Sequence, residues 1–251
     1  LIIGAPKSGT TSLAGWLAAH PQIFVHPRKE LHFFDSHRWG WGADWYRCQF
    51  PRFSADGPPI VRMEATPNYL QLGQVPERVQ QLMPEARMIV ILRHPINRAL
   101  SWCQHIIRQE GVEASPEQIL AAELGQFLDS GETGWLDDGG WHPTNCLFGS
   151  LYTRQLERWR QVVGPERLLV LQMESTLRNP ALAWQAIAPF LGLGHWASQG
   201  GAGTNAMALM PHLNSAPAVY DGLSESIVRD LKRVLDHEIQ HWDSIGSDKT
   251  H

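Results

Sequence analysis

Leu1-Ile2-Ile3-Gly4-Ala5-Pro6-Lys7-Ser8-Gly9-Thr10-Thr11-Ser12 opens the chain. Three apolar residues run into a glycine-containing loop, and a helical pattern follows from Thr10 to His20, with Leu13, Trp16 and Leu17 on one face and Pro21 as its stop. A buried strand feeding a loop and then a helix is the build of a phosphate cradle, in which main-chain N–H groups and the positive helix end hold an anion. Gly4 and Gly9 keep the G-x-x-x-x-G spacing, but Thr10 stands where a nucleoside triphosphatase has lysine. The lysine lies inside the loop instead, at Lys7, nearer the strand end. That position suits a 5′-phosphate carrying one transferable group better than a triphosphate. A tight strand-to-helix turn that binds nothing would use the same glycines.

Outward from this loop, strands and helices alternate. Ile23 to Val25, Ile60 to Glu64, Met88 to Leu92 and Leu168 to Gln172 read as strands, the third apolar throughout, as a parallel strand buried on both faces must be. Pro95 opens a helix after the third of them. Tyr152, Leu156, Trp159 and Val163 mark a helix that Gly164-Pro165 closes. Asn179-Pro180 starts another, which Gly192 stops at Leu191. Ile227, Leu231, Val234, Leu235, Ile239 and Trp242 predict one long amphipathic helix near the C-terminus. Ser36 to Pro59 and Gly194 to Pro217 read as long loops. The expected architecture is α/β: a P-loop-like parallel β-sheet flanked by helices on both faces, with residues 1–251 as a single domain.

Composition fits that picture. The 251 residues are 43% hydrophobic and 18% charged, enough for a large core, and the net charge of −4 gives no cause to expect nucleic acid as a partner. Eight acidic residues and no lysine or arginine lie between Gln109 and Thr153, which leaves the remainder with 21 basic against 17 acidic residues. An anionic ligand suits that remainder. Cys48, Cys103 and Cys146 form neither a disulfide framework nor a C-x-x-C pair, so a reducing, cytoplasmic compartment is expected. No apolar run approaches the roughly 20 residues of a membrane span. Because Leu1 already belongs to a strand, the natural chain is expected to extend upstream.

A second anion site is suggested by Arg93, which leaves the end of a buried strand, and Ser101 in the helix that follows. Arg93 brings a fork of donors and Ser101 a hydroxyl, with Arg98 as a further candidate in the first helical turn.

Taken together, four segments resemble the sulfotransferases that use 3′-phosphoadenosine 5′-phosphosulfate (PAPS), and among them the heparan sulfate sulfotransferase-like branch in a bacterial-type form. They are Ala5-Pro6-Lys7-Ser8-Gly9-Thr10-Thr11-Ser12, Lys29-Glu30-Leu31-His32-Phe33-Phe34, Glu64-Ala65-Thr66-Pro67-Asn68-Tyr69 and Ile91-Leu92-Arg93-His94-Pro95 with Ser101. The match runs in order over about residues 1 to 190. The resemblance implies that Ser8, Gly9, Thr10, Thr11 and Ser12 hold the donor's 5′-phosphate, and that Arg93 and Ser101 hold its 3′-phosphate. It implies that Lys7 neutralises charge on the leaving phosphate oxygen, with adenosine 3′,5′-bisphosphate (PAP) as product and no metal.

Glu30 matches the general base of the heparan-type enzymes. His32 is expected on the same side of an extended segment, and either could take the acceptor's proton, with Glu30 favoured and His32 as helper. Ala65 stands where those enzymes have lysine, so a second cation would have to come from Arg62 or Arg28. Their closing loop is basic and disulfide-linked, whereas Gly200 to Leu213 is neutral and without cysteine.

The acidic stretch borders the acceptor cleft in such enzymes and would repel a polyanion. The expected partner is therefore a neutral or cationic hydroxyl acceptor: a small molecule, a lipid, or an acyl chain on a carrier protein if the chain belongs to a synthase. Trp135, Trp141 and Phe148 are candidate apolar contacts for it, and His142 and Asn145 candidate polar ones.

Two other function classes fit parts of the sequence. His237-Glu238-Ile239-Gln240-His241 satisfies H-E-x-x-H and could make a zinc-dependent hydrolase, although Ser244 and Ser247 stand where a longer zinc pattern wants glycine and histidine. A nucleotide-binding module without catalysis is the other.

Overall fold

All five residues of the strand Met88–Leu92 are fully buried, and their side chains alternate between two apolar layers. The computed structural model describes residues 1–51, 61–130, 145–193 and 222–247. Its strands are β1 (Ile2–Gly4), β2 (Ile23–Val25), β3 (Val61–Met63), β4 (Met88–Leu92) and β5 (Leu168–Gln172). β1, β4 and β5 form one parallel sheet with β4 central, and β2 pairs parallel with β3. A parallel bridge between Ile2 and Ala65 ties the two pieces together, giving the order β2-β3-β1-β4-β5. Chain order departs in opposite directions from β1, so the crevice at its carboxyl end is where ligands of such sheets bind.

Ile3, Val90 and Leu92 face a layer that holds α3 (Val75–Leu82) and α6 (Tyr152–Val163), centred on Trp159 and Leu156. Ile2, Ile89 and Ile91 face the opposite layer, with α1 (Thr10–Leu17) and α8 (Pro180–Leu191). Helices thus cover both faces, as expected. Each fully buried aliphatic side chain here contributes roughly 1.5–3 kcal/mol. Asn179 caps α8 through Leu182 N, and Gly192 ends it at φ 72°, as the sequence predicts.

Two expectations are corrected. Of the stretch from Ser36 to Pro59, the described part is not simply loop: a 3₁₀ turn over His37–Trp41 is followed by α2 (Gly42–Arg47), because Trp39, Trp45 and Tyr46 pack onto Phe33, and residues 52–59 lie outside the described residues. The C-terminal helix is two helices, α9 (Glu225–Val234) and α10 (Asp236–Ser247), which part at the buried Leu235. Leu231 and Leu235 pack in a third cluster with α4 (Pro95–Glu110) and α5 (Pro116–Ser130), whereas Trp242 and Ile245 turn to the main core. One straight helix cannot serve both.

The acidic stretch contains α5 itself. Its start is a capping box: Ser115 Oγ accepts Gln118 N at 3.2 Å and Gln118 Oε1 accepts Ser115 N at 2.8 Å. The Gly194 to Pro217 loop lies outside the described residues.

Candidate active site

The loop after β1 turns on two glycines. A Cβ at Gly4 would lie 2.5 Å from Leu70 Cβ, so only glycine lets the strand end pass there, and Gly9 caps α1 at φ 85°. The first-turn amides at Thr10, Thr11 and Ser12 have no carbonyl one turn earlier within the helix, and no acidic side chain occupies that turn. Lys7, at φ 66°, is half-buried and makes no ion pair among the described residues. Burial lowers its pKa, and the fields of Arg108, Arg93, Lys29 and Arg98 lower it further. Several cations therefore act on one another here, of which Lys29 is paired with Glu30 and Lys7 has no ion-pair partner among the described residues.

Arg93 follows β4, next to β1. Its Nε is buried and meets no acceptor, and no carboxylate forms an ion pair with it among the described residues. Burial lowers its pKa, opposed by Glu174 and Tyr152. Ser101 is buried on α4. His105 and Arg108, four and seven residues on, share that helical face. His105 lies within the field of Lys7, Arg108 and Glu30, with burial as the main cause of its lowered pKa. Neither His105 nor Arg108 was singled out from sequence, although their spacing from Ser101 would have allowed it.

Arg98 is fully buried, and two of its three nitrogens serve carbonyls: Nε donates to Pro6 at 3.2 Å, and Nη1 to Asn145 at 3.1 Å and Cys146 at 2.8 Å, while Nη2 is buried without an acceptor. It braces the loop from beneath. Arg62 is corrected, because it borders a cavity of about 490 Å³ with Leu1, Met83 and Arg87, at the amino ends of β1 and β4. Arg28 is exposed, and Lys29 beside it reaches Glu30 Oε1 at 3.1 Å.

Glu30 and His32 meet, but not through an extended segment. Their φ angles are 68° and 48°, and His32 Nε2 lies 3.3 Å from Glu30 Oε2. His32 Nδ1 lies 2.8 Å from Asp35 Oδ2, a partner that sequence reasoning missed because the turn that brings it close is set by tertiary contacts. The bond to Asp35 and then that to Glu30 raise the His32 pKa to about 9, against burial. Burial opposes ionisation of Glu30, but His32 and Lys29 outweigh it and hold its pKa below the usual value.

A raised histidine pKa stabilises the fold below the unfolded value near 6.5, and that contribution is lost as pH rises through about 9. The melting temperatures of the wild type and of His32→Gln should therefore differ most below pH 6.5 and converge above pH 9. A gap that stays constant with pH would show that the ring is not charged there.

The H-E-x-x-H reading is corrected. Glu238 is buried, and its Oε2 accepts both the amide and the hydroxyl of Thr153, at 2.9 and 3.0 Å. It caps α6 through that oxygen. Among the described residues no cluster of three or more His, Cys, Asp or Glu could hold a metal ion. Phe148 is 1% exposed and packs on Phe127, so it is core and not an acceptor contact. Trp135, Trp141 and His142 lie outside the described residues, and Asn145 gives its carbonyl to Arg98. No described helix is long and apolar enough to cross a membrane.

The sheet thus carries the glycine loop with Lys7 after β1, Arg93 after β4 and the Glu30–His32 pair after β2, the α/β arrangement of a P-loop-like fold. Residues 1–199 match the family model of the sulfotransferase domain. The chain belongs to the PAPS-dependent sulfotransferase family.

Among its relatives is a bifunctional heparan sulfate N-deacetylase/N-sulfotransferase 1 of Caenorhabditis elegans, 28% identical over 198 residues. The human enzyme 2 of the same name is 30% identical over 210 residues. Either match covers 77% of this chain, which spans only 22% of the relative's length. A solved sulfotransferase from Alicyclobacillus acidocaldarius superposes with TM-score 0.67 at 23% identity, covering 98% of this chain and 94% of the other. A mouse sulfotransferase complexed with PAP gives 0.56 at 17% identity, covering 97% and 84%. These two show that the fold is shared.

Proposed function

We propose that this chain transfers a sulfuryl group from PAPS to a hydroxyl acceptor by in-line attack. The observation that carries the reading is the pair of half-buried cations, Lys7 and Arg93, at the carboxyl ends of adjacent strands, neither in an ion pair among the described residues, with Lys7 and Glu30 both acting on His105. The two cradles suit a nucleotide with anionic groups at both ends of its ribose. The orphaned Arg93 Nε supports this, since a buried donor without an acceptor calls for an anion.

In this reading the amides and hydroxyls of Ser8, Gly9, Thr10, Thr11 and Ser12 bind the 5′-phosphate, and Arg93 with Ser101 binds the 3′-phosphate. Glu30 takes the acceptor's proton while the acceptor oxygen forms its bond to sulfur. The bond between sulfur and the bridging phosphate oxygen breaks, its electron pair stays on that oxygen, and Lys7 neutralises the charge there. PAP is released. His32, charged between Glu30 and Asp35, keeps Glu30 ionised and aimed. Lys29 takes the place proposed from sequence for Arg62 or Arg28 as second cation. No metal is required.

The proposed acceptor remains a small molecule, a lipid or a carrier-bound acyl chain, met in the cytoplasm by one domain spanning residues 1–251. Its charge argument is narrower than the sequence implied. Glu123 is buried and accepts the amides of Cys146 and Leu147, and Glu117 accepts Ser224 N, so these two do not form a free acidic face. Glu110 and Glu113 are exposed. Labelled PAPS should sulfate neutral alcohols better than heparan sulfate, and efficient labelling of heparan would overturn this part.

Thermal unfolding with PAP, ADP and ATP tests donor recognition without an acceptor. PAP at about 100 times its dissociation constant should add roughly 2.7 kcal/mol to stability. A shift with ATP alone would refute the two-cradle reading, and no shift with any of the three would remove its support.

A further inference from the structure

Glu64 is a carboxylate that the proposed reaction leaves unused, and it is 1% exposed. No lysine or arginine pairs with it among the described residues. Instead three hydroxyls converge on it: Thr66 Oγ1 donates to Oε2 at 2.7 Å, and Tyr69 and Tyr46 donate to Oε1 at 2.9 and 3.3 Å. Burial raises its pKa and these donors oppose the rise.

Two of the three hydroxyls also face the segment that carries the base. His32 N donates to Thr66 Oγ1 at 3.4 Å, and Phe33 N and Phe34 N donate to Tyr69 Oη at 2.9 and 3.4 Å. A hydroxyl can point its hydrogen either way, whereas a carboxylate only accepts. With Glu64 behind them, Thr66 and Tyr69 must donate inward, which turns their lone pairs toward the three amides.

The segment needs such a hold. Glu30 and His32 both sit at positive φ, unfavourable for residues with a Cβ, and successive amides between them cannot join a regular ladder. Glu30 N is anchored on Ala65 O at 2.9 Å. On the carbonyl side, the Ser36 hydroxyl donates to His32 O and Arg38 to Leu31 O. The amide side of residues 32–34 rests on Thr66 and Tyr69.

We propose that Glu64 is a positioning residue for the base, its buried carboxylate orienting the Thr66 and Tyr69 hydroxyls so that they fix the His32–Phe34 backbone and hold the imidazole between Glu30 and Asp35. This rests on the reading of Glu30 and His32 as the catalytic pair. The action runs through two hydroxyls, and Glu64 itself touches no reacting atom.

The test reads the His32 ring directly, by NMR titration of the full chain, in the wild type and in Glu64→Gln, Thr66→Val, Thr66→Ser and Tyr69→Phe. In the wild type the ring should titrate near 9. Glutamine presents a donor to one of the two hydroxyls and valine offers nothing to the His32 amide, so in both variants the value should fall by about one unit or more toward 6.5. Thr66→Ser should restore it, and Tyr69→Phe should lower it as well, by removing the hydroxyl that links Glu64 to the amides of Phe33 and Phe34. PAP affinity should stay within about twofold throughout, since additivity holds for a site that does not share these partners.

If folded, PAP-binding Thr66→Val and Tyr69→Phe keep the wild-type His32 titration, the proposal is wrong, even if Glu64→Gln fails to fold. Absence of PAP binding in the wild type would sink the sulfotransferase reading separately, leaving the titration to decide the role of Glu64.

Discussion

Glu30→Gln is expected to lower sulfuryl transfer by roughly 10²- to 10⁴-fold, the range by which a positioned base accelerates proton transfer. The amide keeps the shape of the side chain but cannot take a proton. The PAP-induced rise in melting temperature should persist, because Glu30 belongs to the acceptor side and the cradles of Lys7 and Arg93 are intact. Asp35 would still hold His32 Nδ1 at 2.8 Å, so the ring should stay in place while losing one of its two carboxylates. Its pKa should fall from about 9 for that reason. Stopped-time transfer of labelled sulfate from PAPS, run beside PAP thermal shifts, separates the two effects. Unchanged turnover would transfer the role of base to His32, and a variant that loses both turnover and PAP binding would implicate Glu30 in the fold.

Lys7→Ala should cost roughly 10²- to 10³-fold in turnover, as expected for removing a preorganised cation from a charge that develops in the transition state. Its effect on stability should have the opposite sign. Lys7 is half-buried, and burial with four neighbouring cations lowers its pKa, so as a charged group it works against folding in the absence of ligand. The ligand-free variant should therefore melt no lower than the wild type, and PAP should stabilise it less. Lys7→Arg should not restore activity, because a planar fork does not replace a point charge on a short loop. A drop in ligand-free melting temperature with full turnover would assign Lys7 to the fold instead.

How far such roles could be read from the chain differs between the two sides of the site. The cradle is local: Gly4, Lys7, Gly9 and Thr10 follow one another along strand, loop and helix, and the apolar run of β4 points directly to Arg93. Loop geometry and strand burial are dictated within a few residues, so spacing alone placed both cations. Arg98 shows the limit, since the same pattern offered it as a phosphate ligand while three carbonyls from two distant segments take its Nε and Nη1. H-E-x-x-H shows it again, for the motif said nothing of the Thr153 amide that Glu238 caps.

Sequence alone thus determined the order of the strands, the glycine loop after β1, the strand-end arginine and the family resemblance, because periodicity, glycine spacing and strand burial are short-range. Tertiary structure alone decided the rest: that His32 meets Glu30 through two left-handed residues, that Asp35 completes the set, that Glu64 stands behind the segment, and which charges are free. Those depend on groups brought together from distant parts of the chain, as in the bonds from His32 N to Thr66, 34 residues apart, and from Arg98 to Pro6, 92 residues apart. Burial changes what each polar atom can afford to leave unpaired, and only the packed chain shows where that burial falls.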